Sequence, residues 1–310
     1  VFFTVISYAA KYDIVVAHDG TGNFTTIQEA ISSVRGIMME RKTIFVKKGI
    51  YKEKVIVPTH IMNVSLIGED KDSTILTWAD HANMPIPGTD KKMGTFKTYT
   101  LLVQGSGFRM ENMTVENNAP QLGQAVALHV EGDKAVFINC KILGNQDTIY
   151  AGNELSRQYY KDCYIEGTTD FIFGSATVFF KHCIIHSKKN SYITAPSTPE
   201  YNKYGFVFYR CRLTADEGVG KVYLGRPWRP YGQSVFVMCE MGSHILPAGW
   251  DNWRNPDNEK TARFGEMESS GPGANKSERV AWSSQICKCR KKEFSMKKVL
   301  KGCDNWNPEK

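Results

Sequence analysis

Two aspartates recur at the same distance from a cysteine in the middle of the chain. Asp147 follows Cys140 by seven residues, and Asp170 follows Cys163 by seven residues. If the two cysteines lie in equivalent strands of a stacked repeat, the carboxyl groups project one layer apart, roughly 5 Å from each other. Carboxyl groups that close cannot both ionise freely, which yields one nucleophile and one proton carrier. Asp is also common in turns, but the repetition beside Gln146 favours the chemical interpretation.

The strands that would position this pair also repeat. Six short segments can be aligned on one position, at spacings of 20 to 28 residues, and each alternates apolar with other side chains. This pattern predicts one solenoid coil per repeat, with one face of every strand packed inside. The aligned position is occupied by Asn112, Cys140, Cys163, Cys183, Cys211 and Cys239.

We therefore predict an all-β fold, a right-handed parallel β-helix in which the cysteines form an internal column. Little of the sequence between these strands has helical periodicity, which disfavours alternating strands and helices. An antiparallel barrel is the alternative, but the spacing lacks the paired hairpin turns that a barrel needs. No linker or change in composition divides the chain, so residues 1–310 are expected to form a single domain.

The remainder of the chain supplies the ends of this solenoid. Residues 25–31 predict a helix capped by Thr25 or Thr26, which would plug the open end of the β-helix. Residues 80–98 and 246–280 are rich in loop-forming residues and are interpreted as long loops. Additional strands are predicted at residues 13–17, 43–46, 54–57 and 64–68.

The overall charge indicates an anionic partner. The chain has a formal net charge of +7, which fits nucleic acid, an acidic membrane or an acidic polysaccharide. No Arg-rich run or zinc-finger spacing favours nucleic acid, and no apolar run approaches the ~20 residues that span a bilayer. The apolar opening VFFTVISYAA is interpreted as an edge strand or a remnant near a processing site, and it lacks the features of a signal peptide.

The eight cysteines fall into two groups. The five in the strands are interpreted as small buried apolar residues. Cys287, Cys289 and Cys303 lie in a Lys-rich tail, where a disulfide from Cys303 to Cys287 or Cys289 is favoured over a zinc site because a fourth ligand is missing. Glycosylation sequons occur at Asn23, Asn63, Asn112 and Asn275, and we expect the one at Asn112 to point inward and stay unmodified.

The chain lacks the short motifs of several common enzyme classes. GxSxG, HExxH and GxxxxGK[ST] are all absent, which disfavours the common serine hydrolases, zincins and P-loop enzymes. The polar candidates that remain are Gln124, Gln146, Asp147, Asp170 and Arg226, with the aromatic residues Tyr150, Phe171, Phe173 and Trp228 nearby in sequence. Taken alone, Arg226 would more commonly be a surface arginine.

Five separate motifs resemble those of the pectin methylesterases, the pectinesterase family of carbohydrate esterases. They are QAVALHV (124–130), GNQDTIY (144–150), IEGTTDFIFG (165–174), YLGRPW (223–228) and PAGW (247–250). The likeness runs from about Ile14 to Pro308, and the opening IVVAHDGTGNFTTIQEAI and the later FGEMESSGPGA also match the family. The family fold is a right-handed parallel β-helix, in agreement with the repeat. Where many members carry Gln-Gly-Arg after a Thr-Ala pair, this chain has Pro-Ser-Thr at 196–198.

The resemblance implies a role for each candidate residue. Asp170 would be the nucleophile and Asp147 the general acid and then base. Gln124 and Gln146 would form the oxyanion hole, and Arg226 would hold Asp170. The remaining residues would contact the sugar chain, and these are Thr100, Tyr150, Phe171 and Trp228.

The same resemblance predicts the enzyme's surroundings. The substrate would be methyl-esterified homogalacturonan, and the enzyme would be a secreted, glycosylated monomer that requires no metal ion or cofactor and binds neither nucleic acid nor membrane. Two rival hypotheses remain, a β-helical pectin depolymerase and an inactive β-helix that binds acidic glycans. Carboxylates about 5 Å apart also fit a retaining glycosidase, whereas an inactive binder would be expected to have lost at least one of the five polar residues.

Overall fold

The computed structural model describes residues 12–310, and the segment interpreted as an edge strand or processing remnant lies outside them. The strands form three parallel sheets of eleven, eight and seven strands, which we name sheets A, B and C. Along the chain a coil contributes one strand to A, the next to B and the next to C, and each strand pairs in parallel with its counterpart in the following coil. The predicted parallel β-helix and all-β class are confirmed.

The strands are short because a corner follows every few residues. Sheet A contains Ile14–Val16, Lys42–Val46, Val64–Gly68, Arg109–Glu111, Ala135–Ile138, Arg157–Lys161, Thr177–Lys181, Phe206–Tyr209, Gln233–Val237, Arg263–Met267 and Ser284–Gln285. Sheet B contains Gly49–Lys52, Thr74–Trp78, Thr114–Asn117, Lys141–Leu143, Tyr164–Gly167, Ile184–Ser187, Arg212–Ala215 and Glu240–Met241. Sheet C contains Val55–Val57, Leu101–Val103, Leu128–Val130, Ile149–Ala151, Ile172–Gly174, Tyr192–Pro196 and Tyr223–Gly225.

The helices lie at the ends of the solenoid and in its loops. The α-helices are Ile27–Ser33, Asn258–Thr261 and Met296–Leu300, and the described 3₁₀ segments are Thr95–Lys97, Pro272–Ala274 and Lys288–Phe294. None of the helices within residues 12–310 is both long and apolar enough to cross a membrane.

The first helix has the predicted cap. The backbone N–H of Glu29 donates to Oγ1 of Thr26 at 3.2 Å, and that hydroxyl donates to the Glu29 carboxylate at 2.7 Å. The first bond satisfies the Glu29 N–H, one of the backbone donors that the first turn would leave unpaired. Ile27 and Ile31 are fully buried against the first coils, so the helix covers the apolar end of the core.

Two columns of side chains fill the interior. All five strand cysteines are buried and free, as predicted. Beside them runs an aromatic column in which Phe180 stacks on Phe208 at a centroid distance of 4.5 Å, and Phe208 on Phe236 at 4.4 Å. Parallel strands place equivalent residues one above another, so each coil adds one ring to the stack, and each aromatic contact contributes about 0.5–1.5 kcal/mol beyond burial.

The predicted position of Asn112 in the cysteine column is wrong by one residue. Ile138 pairs with Glu111 and Lys141 pairs with Thr114, which places Asn112 beside Asn139 and Met113 beside Cys140. Met113 is fully buried and continues the column. Asn112 instead occupies the corner with a φ of 54°, a conformation that Asn tolerates, and its side-chain oxygen accepts a hydrogen bond from Asn139.

The interpretation of residues 246–280 as loops is also wrong in part, because they contain the helix Asn258–Thr261 and a strand. Arg263–Met267 forms a strand of sheet A that pairs with Gln233–Val237, so the solenoid continues for another coil. Sequence alternation does not reveal this strand, because Glu266 within it is buried and charged. Its carboxylate is paired with Arg279 inside the protein.

The tail disulfide predicted for Cys303 is not formed. Cys287, Cys289 and Cys303 are exposed free thiols. The backbone explains the separation, because Cys287 caps the 3₁₀ segment Lys288–Phe294, while Cys303 follows the last helix and its neighbour Asp304 is bound to Arg157.

Candidate active site

The candidate polar residues come from the same corner of successive coils. Gln124 lies between the sheet B and sheet C strands of one coil, Gln146 and Asp147 lie at the next such corner, and Asp170 at the one after. Arg226 directly follows the sheet C strand Tyr223–Gly225. Because the coils stack in parallel, residues that are more than twenty positions apart in sequence become neighbours along this edge.

The two aspartates are partners in register. Ile149 pairs with Ile172 in sheet C. The same offset places Asp147 opposite Asp170 in the adjacent coil, and the backbones of neighbouring coils are about 4.8 Å apart. Both residues have positive φ values, 65° and 48°, which Asp tolerates better than most side chains. Both side chains are buried to within a few per cent, so the pair forms the polar base of a cleft.

Arg226 holds one member of the pair and not the other. Its Nε donates to one carboxylate oxygen of Asp170 at 3.0 Å, and its Nη2 donates to the other at 2.7 Å. This two-point contact fixes the plane of the carboxylate and favours its charged form. Among the described residues, no side-chain hydrogen bond or ion pair is made by Asp147.

The surroundings separate the two carboxyl groups in acidity. Burial, reinforced by the charge of Asp170, raises the pKa of Asp147 well above its ordinary value. Burial also raises the pKa of Asp170, but the hydrogen bonds and charge of Arg226 oppose that rise. Asp147 is therefore the group that retains its proton, and Asp170 is the one that loses it first.

The cleft above the pair is small and lined by both polar and aromatic side chains. Its volume is about 250 Å³. Gln124 and Gln146 both reach it, and neither side-chain amide makes a hydrogen bond within the described part of the chain, so their N–H groups remain available to a bound molecule. The lining residues are Thr95, Phe96, Gln124, Gln146, Asp147, Asp170, Phe173, Ala195, Arg226, Trp228 and Trp253.

Comparison with known proteins identifies the family of the chain. The family profile of the pectinesterases matches residues 13–303. The chain belongs to the pectinesterase family. It is 41% identical over 280 residues to Pectinesterase 31 of Arabidopsis thaliana, covering 87% of this chain and 86% of that protein.

Solved pectinesterase structures share the whole architecture. Pectin methylesterase from carrot superposes with a TM-score of 0.87 at 32% identity, covering 94% of each chain. A pectin methylesterase solved in complex with a hexasaccharide superposes with a TM-score of 0.83 at 29% identity, covering 96% of this chain and 98% of that one. Pectinesterases are carboxylic ester hydrolases, which favours the predicted esterase over both rival hypotheses.

Two residues that we expected to contact substrate lie elsewhere in this pectinesterase. Phe171 is fully buried in the core. Asp170 turns the chain at its positive φ, so Phe171 and Ile172 both enter the core and Phe173 is the ring that faces the cleft. Thr100 is also fully buried, and its hydroxyl donates to the backbone carbonyl of Glu116 at 2.8 Å.

The other two predicted contacts lie at or beside the cleft. Trp228 lines it and meets Phe173 edge-on at a centroid distance of 5.8 Å. Tyr150 packs against Phe173 at 4.9 Å, one layer further along the same face. From the loop before Thr100, it is Phe96 that reaches the cleft. The 3₁₀ segment Thr95–Lys97 places its ring next to that of Tyr150.

Sequence reasoning missed the two rings that orient Arg226. The guanidinium carbon lies 3.8 Å from the centroid of Tyr192 and 3.8 Å from that of Trp253, so the group is held between two aromatic faces. Such cation–π contacts fix the plane of the guanidinium without occupying its N–H donors. Tyr192 begins a sheet C strand, so the register of the repeat could have placed it near the cleft. Trp253 lies in a loop, where no periodic pattern predicts its position.

Proposed function

We propose that this pectinesterase removes the methyl groups of homogalacturonan through a covalent intermediate on Asp170. The observation that carries the proposal is the asymmetry of the aspartate pair. One carboxylate is held in its charged form by Arg226, and its neighbour, one layer away, has no cationic partner and a pKa raised by burial. A charged nucleophile beside a protonated acid is the combination that ester cleavage requires.

In the first step the Asp170 carboxylate attacks the carbonyl carbon of the methyl ester. The electron pair of the C=O bond moves onto oxygen, where the amide N–H groups of Gln124 and Gln146 stabilise the negative charge. As the tetrahedral intermediate collapses, the bond to the methoxy group breaks and Asp147 donates its proton, so methanol leaves. The galacturonyl group remains joined to Asp170 as an anhydride.

In the second step Asp147, now a carboxylate, takes a proton from a water molecule. The resulting hydroxide adds to the galacturonyl carbonyl carbon, and the same two glutamines stabilise the new oxyanion. Collapse of this intermediate breaks the bond to Asp170, which leaves as a carboxylate, and releases galacturonic acid, which loses its proton to solvent. Asp147 is protonated again. The groups that act on the ester and on the water molecule are all side chains of this chain.

The surroundings of the cleft support a polymeric substrate. Phe173, Trp228 and Trp253 present aromatic surface next to the reacting groups, and such surface suits the apolar faces of sugar rings. A net charge of +7 suits a polymer that becomes anionic as methyl groups are removed. In this proposal residues 1–310 act as one catalytic domain, a secreted monomer that binds neither membrane nor nucleic acid.

Two of the sequons are accessible for the glycosylation expected of a secreted enzyme. Asn23 and Asn275 are exposed. Asn63 and Asn112 are only partly exposed, and the side-chain nitrogen of Asn63 already donates to the carbonyls of Met38 and Met39. We therefore expect glycans at Asn23 and Asn275 in preference to the other two sequons.

The experiment that tests the activity measures two products from the same reaction. Esterified pectin is incubated with the full chain, and methanol and new reducing ends are quantified together. The proposal expects methanol release without new reducing ends. Reducing ends in proportion to turnover would instead indicate a depolymerase, and neither product would indicate a glycan-binding protein without this activity.

A further inference from the structure

A second concave surface lies on sheet A, away from the sheet C edge that carries the catalytic cleft. We name it the C-terminal groove. It is formed where the 3₁₀ segment Lys288–Phe294 and the helix Met296–Leu300 cross the strands Thr177–Lys181 and Phe206–Tyr209. Its volume is about 700 Å³, compared with about 250 Å³ for the catalytic cleft.

The C-terminal segment that forms one side of the groove is strongly basic. Residues 287–301 contain seven Lys and Arg and one Glu, a net charge of +6 against +7 for the whole chain. Five lysines and one carboxylate line the groove, and they are Lys181, Lys288, Lys291, Lys292, Lys297 and Glu309.

Only part of this charge is neutralised by the protein itself. Lys181 binds Glu309 at 2.7 Å, and Lys288 and Lys291 share the carboxylate of Glu268. Within residues 12–310, Lys292 and Lys297 form no ion pair, and both are exposed. Two unpaired ammonium groups that line one groove suit an anion with more than one charge.

The lysines are presented on a fixed base. Phe294, Val299 and Leu300 from the same segment are buried against the outer face of sheet A. The tail beyond them is held as well, because Glu309 accepts hydrogen bonds from both Tyr159 and Lys181. A binding partner therefore meets ammonium groups on a packed segment, which reduces the entropy lost on binding.

We propose that the C-terminal groove is a second, non-catalytic binding site for demethylated galacturonan. The proposal rests on the proposed function, because that reaction produces a linear polymer with one carboxylate on each demethylated sugar. Lys292 and Lys297 would bind those carboxylates, and the partly exposed ring of Tyr209 would contact the sugars.

The location of the groove gives this site a consequence for the reaction. A polymer bound on sheet A leaves the sheet C edge free, so the groove and the catalytic cleft can hold different stretches of pectin at once. Linking two sites through one polymer raises the effective concentration of the second stretch. The groove would thus keep the enzyme near product that it has already made.

The test compares variants that change the same number of charges. K292Q/K297Q removes the two unpaired lysines of the groove. K189Q/K276Q removes two exposed lysines outside it that form no ion pair among the described residues, and K292R/K297R keeps the charge. Binding of the full chain to polygalacturonate is measured by titration calorimetry at low and high salt, beside methanol release from a short methylated oligogalacturonide.

We expect K292Q/K297Q to weaken the Kd for polygalacturonate by about three- to thirtyfold at low salt. K189Q/K276Q and K292R/K297R should bind like the unmodified chain, and the differences should disappear near 1 M salt. Methanol release from the short substrate should be the same for all variants, because the groove does not reach the reacting groups.

Two results would overturn the proposal. One is a K292Q/K297Q variant that binds polygalacturonate as tightly as K189Q/K276Q. The other is binding of heparin or polyuridylate at least as tight as polygalacturonate and equally weakened in K292Q/K297Q, which would make the groove a general polyanion surface. If the unmodified chain releases no methanol, the proposed function fails, but the calorimetry still decides the groove because it involves no turnover.

Discussion

Arg226 and Arg279 each bind one carboxylate through Nε and one terminal nitrogen, in two very different parts of the molecule. Arg226 binds Asp170 at 3.0 and 2.7 Å beside the cleft. Arg279 binds Glu266 at 2.7 and 3.1 Å inside the last coils. The bond geometry of the two pairs is nearly the same, so the geometry of the pair does not by itself distinguish them.

The remaining donors of the two arginines do distinguish them. Arg279 also donates to the backbone carbonyls of Leu246, Pro247 and Gly273, so all five of its N–H groups are used, and its side chain is 3% exposed. It joins two loops to a strand of sheet A. The pair therefore contributes to the fold, because every polar atom of the guanidinium is satisfied inside the protein.

Arg226 uses two donors and is otherwise enclosed by rings. Tyr192 and Trp253 hold its faces, and its side chain is 21% exposed. The carboxylate that it orients stays open toward the cleft and toward Asp147. An arginine–carboxylate pair that has free N–H donors and lies next to an unpaired acid is suited to catalysis. The same pair with every N–H donor satisfied inside the protein is suited to stabilising the fold.

The largest effect is expected when the carboxylate that Arg226 holds beside the cleft, that of Asp170, is removed. Asp170→Asn keeps the shape of the side chain but removes the nucleophile, so methanol release should fall by at least about 10⁴-fold. The thermal midpoint should change little because the site stays packed. Turnover near that of the unmodified chain, in protein whose substitution is verified by mass spectrometry, would show that another group is the nucleophile.

The next effect concerns the buried pair of Arg279 and Glu266. Arg279→Met leaves Glu266 buried without a partner and removes the donors to the carbonyls of Pro247 and Gly273, so the free energy of unfolding in urea should fall by about 3–5 kcal/mol. Arg290→Met is the matched control, because Arg290 makes the same two-point contact with Glu293 on the surface and should cost at most about 1 kcal/mol. Equal losses for the two variants would contradict the distinction drawn from burial.

A smaller effect on activity is expected from Arg226→Gln. Asp170 loses its orientation, so kcat should fall by about 10²-fold. Arg226 lowers the pKa of Asp170, and its removal lets burial raise that pKa further. The acid limb of the pH profile of kcat/KM should therefore move to higher pH, by about one to three units.

Arg229→Gln is the control for that shift. Arg229 lies over the ring of Trp228 but makes no bond to Asp170, so its removal changes the local charge without releasing the carboxylate. Its pH profile should stay close to that of the unmodified chain. An acid limb that moves as far in Arg229→Gln would mean that long-range charge, and not the two-point contact, sets the acidity of Asp170.

The smallest effect concerns stability. It distinguishes Asp147, whose carboxyl group has no arginine partner, from Asp304, whose carboxylate is bound by Arg157. Folding raises the pKa of Asp147, so its contribution to stability is present at low pH and is lost as the pH rises through the folded value. Asp147→Asn should therefore raise the thermal midpoint at neutral pH. This gain should shrink as the pH falls toward 3.8, the ordinary value of the group.

The opposite sign is expected for Asp304, whose pKa is lowered by hydrogen bonds from Arg157 and Lys134. Asp304→Asn should lower the thermal midpoint at neutral pH, and that loss should shrink in acid as the aspartate becomes protonated in the unmodified chain. Two variants with midpoint changes of the same sign and the same pH dependence would show that the assigned environments are wrong.

The sequence alone was sufficient for the repeat and for the aspartate pair. A column of buried cysteines at 20 to 28 residue spacing implies stacked coils, and stacking converts the shared offset from Cys140 to Asp147 and from Cys163 to Asp170 into a contact one layer apart. The helix cap at Thr26 was similarly local. These features depend on period and spacing, which a sequence states directly.

Other features depended on register and on partners far along the chain. Corner residues with positive φ interrupt the alternation of strands, so counting along the repeat misplaced Asn112 by one residue. Motif resemblance predicted that Phe171 contacts the substrate, but the turn at Asp170 places its ring in the core. Glu266 looked like a loop carboxylate because its partner, Arg279, belongs to another segment.

The surroundings of Arg226 also depended on residues far along the chain. Motif resemblance placed it against Asp170, but the two rings that hold it come from a strand 34 residues before it and from a loop after it. Each coil can carry loops of any length without disturbing the stack. The spacing along the chain therefore does not determine which loop returns to the cleft, and only the folded solenoid brings Tyr192 and Trp253 to the same guanidinium.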